Sequence, residues 1–140
     1  MGSLFSYFEG SLLDFLTHVK EMQDNSLVKI KLSVGNFQSY THVIDNFAVK
    51  HIIAKHANDK EIKRGQIIIE ESDFLLIPEI ISNYDSRTIR TSEKGSTVIV
   101  STKTYRGCEY TYIEVFRKGR PELAGVTFYK RKRKLTGAKS

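Results

Sequence analysis

Two of the four histidines, His51 and His56, lie five residues apart in Val-Lys-His-Ile-Ile-Ala-Lys-His, and each follows a lysine, Lys50 or Lys55. Three kinds of chemistry fit such a pair. A shared metal is the first. Helical metal pairs use a spacing of four, which returns to the same helix face. Five residues advance about 500° and leave the two side chains about 140° apart. The remaining histidines, His18 and His42, bring no ligand motif, so no metal site is expected. A packing role is the second. Val49, Ile52, Ile53 and His56 share one helical stripe, which would leave His56 half-buried and His51 exposed near Phe47 and Lys55. Acid–base chemistry is the third, since imidazole both takes and gives a proton near neutrality. Spacing alone removes the metal and leaves the other two open.

The rest of the chain narrows the acid–base reading. RNA carries its own nucleophile, the 2′-hydroxyl. Cleaving it takes a base, an acid and cations for the developing phosphate charge. His, Lys, Arg and hydroxyl side chains suffice for that. The sequence has no phosphate-binding glycine loop, no serine nucleophile elbow and no paired-carboxylate motif. The net charge is +6, and residues 117–134 hold eight Lys or Arg against the single acid Glu122. Clustered positive charge favours a polyanionic partner, whether nucleic acid, anionic lipid or an acidic protein. The one cysteine, Cys108, can form no internal disulfide and reads as a small strand residue. No apolar run approaches the ~20 residues of a membrane-spanning helix. Leu12–Leu16, interrupted by Asp14, is too short for a secretory leader.

These side chains need elements to place them. One domain of 140 residues is expected. Leu4, Phe8, Leu12, Phe15 and Leu16 recur at helical spacing and predict a helix over 3–23, with Ser3 as a possible cap. Val28–Val34 alternates as a strand. A second helix is expected over 44–57, with Asp45 near its start, then a helical turn at 59–63 and an extended run at 66–70. A third helix is expected over 73–82, capped near Ser72 or Asp73 or else starting at Pro78. Residues 88–91, 96–102, 109–117 and 123–131 read as four strands divided by hairpin separators. N-terminal helices followed by an antiparallel sheet of about four strands is an α+β pattern. In the last strand, Ala124, Val126 and Phe128 are expected to face the helices, turning Thr127, Tyr129 and Arg131 outward. In the strand before it, Ile113 and Val115 are expected in the core and Tyr110, Tyr112 and Glu114 outside.

The segments His51–Ile69 and Asp73–Asp85, the hairpin strands and the closing Gly-Val-Thr-Phe-Tyr-Lys-Arg-Lys together resemble the phage- and toxin-associated nucleases of the barnase–EndoU–colicin–RelE superfamily. The nearest likeness is to the phage branch with its His…His…Arg-Gly-Gln segment. The resemblance covers roughly residues 28–132 as a nuclease-like core. Residues 1–27 then form a helical extension and 133–140 a basic tail. It implies a metal-independent ribonuclease without cofactor that leaves a 2′,3′-cyclic phosphate, with tRNA as the expected substrate. It also implies delivery as the C-terminal part of a larger toxin, as in contact-dependent growth inhibition. The site of action would be the target-cell cytoplasm. A cognate acidic immunity protein is implied as partner. A monomer without stable membrane association is expected.

The resemblance also suggests residues. The helical histidine maps to His56 or His51, and the closing hydroxyl and aromatic map to Thr127 and Tyr129. The strand cation maps to Lys103, with Arg106 and Arg117 as rivals, and Arg64 and Gln66 match the Arg-Gly-Gln signature. His56 or His51 would move protons, and Lys103 and Arg64 would stabilise the transition state. Thr127 would hold a phosphate oxygen, and Tyr129 would stack on a base or bond the phosphate. Lys50, Lys55, Gln66, Arg106, Arg117, Lys130 and Arg131 would bind RNA. The alternative is a basic module that binds nucleic acid or protein without catalysis.

Overall fold

The structure, a computed structural model, describes residues 5–56 and 65–132, and side chains over 6–55 and 65–132. The chain runs β1 (Phe5–Tyr7), α1 (Leu12–Glu21), β2 (Leu27–Lys31), β3 (Thr41–Asp45), α2 (Asn46–His56) and β4 (Gln66–Ile67). A 3₁₀ helix (Glu71–Leu76) and α3 (Ile77–Ser82) follow. Then come β5 (Ser86–Thr91), β6 (Thr97–Tyr105), β7 (Cys108–Arg117) and β8 (Glu122–Lys132). The predicted helical turn at 59–63, the cap Ser3, Arg64, the side chain of His56 and the tail 133–140 lie outside the described residues.

The α+β class holds, but two parts of the expectation do not. Helices and strands alternate through the first half instead of helices preceding the sheet. The sheet has eight strands, in the order β1-β2-β3-β8-β7-β6-β5, with β4 also on β8. The four predicted C-terminal strands form its antiparallel half. β3 runs parallel to the start of β8, and β4 pairs antiparallel with its far end. These additions depend on long-range pairing, which periodicity within one segment does not encode.

The expected helix over 3–23 is split for a local reason. Gly10 adopts φ +143, and a side chain there would meet the Phe8 ring at 3.0 Å. The helix therefore starts after Ser11, whose hydroxyl accepts the Asp14 N–H at 3.0 Å. The residues before it pair with β2 as β1. At the second helix, Asp45, expected near its start, also caps it: its Oδ1 accepts the Ala48 N–H at 2.8 Å. Asn46 is fully buried: its side chain accepts from Val28 N–H and donates to Ser26 O, both at 2.9 Å, pinning α2 to β2. Pro78 falls in the first turn of α3, where its missing N–H costs nothing.

The core lies between one sheet face and the helices. Phe15, Leu16 and Val19 of α1, Val49 and Ile52 of α2, and Phe74, Ile77 and Ile80 meet Ile44, Tyr110, Tyr112 and Phe128. Phe128 is the hub, with ring centroids 5.5 Å from Phe74, 5.8 Å from Tyr112 and 6.0 Å from Tyr110. This corrects the expected faces of β7. Tyr110, Tyr112 and Glu114 point inward and are buried, while Ile113 and Val115 point to the opposite, outer face. Alternation in β7 is legible either way round, and aromatic bulk decides it. Ile53, expected on the α2 stripe, is 40% exposed.

Candidate functional site

The outer sheet face is where strand geometry gathers hydroxyls and cations. Residues opposite one another on neighbouring strands share a face. Tyr129 is opposite Thr111, Thr111 opposite Thr102, and Thr102 opposite Ser86. Four hydroxyl side chains thus cross four strands in a row. In the next row outward Arg131 is opposite Glu109 and Gln66, and on the other side Thr127 is opposite Ile113. Thr127, Tyr129 and Arg131 therefore turn outward together, as the β8 pattern predicts. The Arg131 guanidinium lies 5.6 Å from the Tyr129 ring centroid.

A β-bulge shapes this face. The β7–β8 register slips between Ile113 and Glu114, which pair with Thr127 and Gly125, leaving Val126 as the extra residue. Val126, expected to face the helices, instead joins Thr127 in lining an outer groove of about 800 Å³. Val98, Ile113 and Val115 share its floor; Arg90, Glu93 and Lys94 come from the β5 end and the β5–β6 turn. Beside the bulge the inner face is tight. A Cβ on Gly125 would sit 2.7 Å from Tyr112 Cζ and closer still to its hydroxyl oxygen. Among the described residues the buried Tyr112 hydroxyl has no hydrogen-bond partner, and Glu114 Oε1 has none. Burial pushes the Tyr112 phenol well above its ordinary pKa, and the Glu114 and Asp45 charges add to it.

Toward β2 the outer face closes over a buried ion pair. Lys29 Nζ bonds Glu122 Oε1 at 2.7 Å, and the Tyr7 hydroxyl donates to Glu122 Oε2 at 2.7 Å. Burial pushes the Glu122 carboxyl up, but the hydrogen bonds from Lys29 and Tyr7 and the Lys29 and Arg117 charges outweigh it, so its pKa is lowered. Burial and the bond to Glu122 raise Tyr7 to about 12. A second buried pair joins His42 Nδ1 to Glu114 Oε2 on the inner face. Neither pair is legible in the sequence. Lys29 sits in a polar–apolar alternation that marks it as solvent-facing, and His42 has no motif around it. Only the strands around them reveal their burial.

The other predicted residues scatter. Lys103 is opposite Tyr110 on the inner face, where its Nζ donates to Asn83 O at 2.7 Å. The sheet therefore separates Lys103 from Thr127, a correction to their placement in one site. Lys130 also points inward, with Nζ 2.9 Å from Asp73, whose other oxygen accepts the Tyr110 hydroxyl at 2.8 Å. Arg106 sits at the β6–β7 hairpin tip, 5.2 Å from the Tyr105 ring centroid, beside a cleft it shares with Lys130. Arg117 is on the outer face, 3.9 Å from Asp45. Gln66 is half-buried, and its Oε1 has no partner among the described residues. His51, Lys50 and Lys55 are exposed on α2, with Lys50 beside an apolar cleft against α1. Among the described residues no three His, Cys, Asp or Glu side chains cluster as metal ligands. No helix among them is long and apolar enough to cross a membrane.

No match to the chain was found among curated proteins or among solved structures. The family model described as phage-Barnase-EndoU-ColicinE5/D-RelE like nuclease3 matches residues 19–137, reaching further toward both ends than the 28–132 core and taking in the last turn of α1. That match spans most of the chain and places the protein in this nuclease family.

Proposed function

We propose that the protein is a metal-independent endoribonuclease, delivered as part of a larger toxin, that cuts RNA on the outer face of its sheet. The supporting observation is the placement of Thr127, Tyr129 and Arg131 together on that face, at the end of a row of hydroxyls. The reaction is a transesterification. A base takes the 2′-hydroxyl proton, O2′ bonds to phosphorus, the P–O5′ bond breaks, and O5′ takes a proton. A 2′,3′-cyclic phosphate remains. Thr127 holds a phosphate oxygen, Arg131 neutralises charge, and Tyr129 stacks or bonds the phosphate. Arg131 fills the cationic role first assigned to Lys103, which lies across the sheet. His51 lies on α2, on the helix side of the sheet with Lys103, so the proton falls to His56 at the C-terminal end of α2, and Arg64 remains a candidate for transition-state charge. The substrate is tRNA, and an acidic immunity protein is the natural inhibitor of so basic a chain, of net charge +6.

The test is incubation of the purified chain with total tRNA in EDTA. Cleavage with cyclic-phosphate ends is expected. RNA left intact, or cut only when divalent metal is added, sinks the mechanism. Thr127→Ala is expected to lower the rate about 10²-fold, the scale of losing one hydrogen bond to a developing oxyanion. Full activity in both His51→Ala and His56→Ala would remove the histidines from the reaction. Tight, salt-sensitive binding without cleavage would instead favour the non-catalytic reading.

A further inference from the structure

The sheet ends on β5, and one side of that strand is open. Among the described residues β5 pairs only with β6, over six residues without a break. A strand open on one side presents a row of backbone donors and acceptors that can template another strand. Proteins usually blunt such an edge with a very short strand, proline, a bulge or charge. At the opposite edge, β1 has only three residues. β5 reads Ser-Arg-Thr-Ile-Arg-Thr, with no proline and no bulge within its pairs. Of its two arginines, Arg87 is drawn inward, donating to Ile81 O at 2.7 Å and to Ser101 Oγ at 3.2 Å.

The β5–β6 hairpin fixes which groups face the open side. Ser92 N–H bonds Ser96 O at 2.7 Å, one step beyond the Thr91–Thr97 pair. In an antiparallel ladder, pairs that exchange hydrogen bonds alternate with pairs that do not. Ser86, Thr88 and Arg90 therefore bond across to β6. The N–H and C=O of Arg87, Ile89 and Thr91 point the other way, at a spacing of about 7 Å. The side chains along this edge are sorted by face. Ile89, on the helix side, is 53% exposed, and the exposed Tyr84 ring lies 4.1 Å from the Arg87 guanidinium. On the outer side Arg90 is exposed, and Lys94 follows in the turn.

We propose that the β5 edge docks an extended segment of a partner protein whose side chains alternate between acidic and apolar. Added antiparallel to β5, such a segment bonds Arg87, Ile89 and Thr91 through its backbone. Its apolar side chains lie beside Ile89 on the helix side, and its carboxylates lie beside Arg90 on the outer side. A second copy of this chain suits the edge poorly. β5 carries no acid, and each copy has a net charge of +6, so pairing two would gather like charges. The proposal concerns the strand edge alone and stands or falls separately from the nuclease reading.

The test is residue-resolved amide exchange by NMR on the full chain, without RNA. The probe is an end-blocked seven-residue peptide alternating glutamate with valine. In the free protein the Arg87, Ile89 and Thr91 amides are expected to exchange quickly, and those of Thr88 and Arg90 slowly. Saturating peptide should slow the first three about tenfold or more and leave the other two unchanged. A peptide alternating lysine with valine should give no protection. Arg90→Glu should abolish protection by the glutamate peptide, while slow Thr88 exchange in the free variant shows that the hairpin still forms. Binding without protection of the three amides, or equal protection by the lysine peptide, overturns the proposal. Protection of the same amides without peptide, growing with protein concentration, would assign the edge to a second copy and overturn the acidic occupant.

Discussion

Lys29 and Glu122 show how one buried pair ties the outer face together. Both are almost fully buried, and the Tyr7 hydroxyl completes the carboxylate's bonding. Replacing Lys29 by Met would strand Glu122 without its cation. Losses on breaking such a pair run to about 3–5 kcal/mol, measurable by urea titration. Glu122 also sets a pH dependence. Its folded pKa is lowered below the unfolded value of ~4.3. Its contribution is therefore complete above that value and is lost as pH falls through the folded pKa. Wild-type stability should drop on the acid side below about pH 4.3, and Glu122→Gln should flatten that limb of a Tm-against-pH curve. An unchanged acid limb in the variant would show that the carboxylate does not titrate in this way. His51 and His56 belong to the same scale. Their spacing argues against a shared ion and places His51 off the apolar stripe, and His51 is indeed exposed on α2.

At the scale of the element, β8 decides most. Its central segment touches the core through Phe128, and its outer side carries Thr127, Tyr129 and Arg131. Between them the bulge depends on Gly125, because Tyr112 occupies the space a Cβ would fill. Gly125→Ala is expected to destabilise by about 1–3 kcal/mol through overpacking. It should also lower RNA cleavage by moving Thr127. Tyr112→Phe alone is expected to be neutral or slightly stabilising, since the hydroxyl it removes is buried without a partner among the described residues. In that background the Gly125→Ala penalty should shrink, because the nearest clash is with the hydroxyl oxygen. Thermal melts of the two single variants and the double variant check this, and strictly additive effects would refute the coupling. Phe128→Ala, at the hub of three rings, should cost about 3–5 kcal/mol. Ordinary alternation suggested that Val126 faces inward, and a bulge is the event that alternation cannot foresee.

The whole molecule presents helices on one sheet face and an open groove on the other. Its net charge of +6 predicts RNA binding that weakens steeply with salt, because binding releases counterions from the phosphates. Affinity for a DNA oligonucleotide, which lacks the 2′-hydroxyl and cannot be cut, should fall with a log–log slope of several between about 50 and 200 mM salt, and a flat response would argue against phosphate contacts. The cations do not all serve that face. Lys103 and Lys130 are held on the helix side by Asn83 and Asp73. A count of Lys and Arg along the chain therefore overstates the charge available on the outer face.

The sequence by itself determined the α+β class, the four C-terminal strands, the acidic Asp45 at the start of α2 and the outward set Thr127, Tyr129 and Arg131. Each rests on local spacing or local capping chemistry, which the chain carries in consecutive residues. Tertiary structure alone decided the eight-strand sheet, the inward turn of Tyr110, Tyr112 and Glu114, and the buried pairs of Lys29 and His42. It also decided the separation of Lys103 from Thr127 and the groove that the bulge opens. All of these depend on which strand lies beside which, and that is settled by packing between residues far apart in the chain.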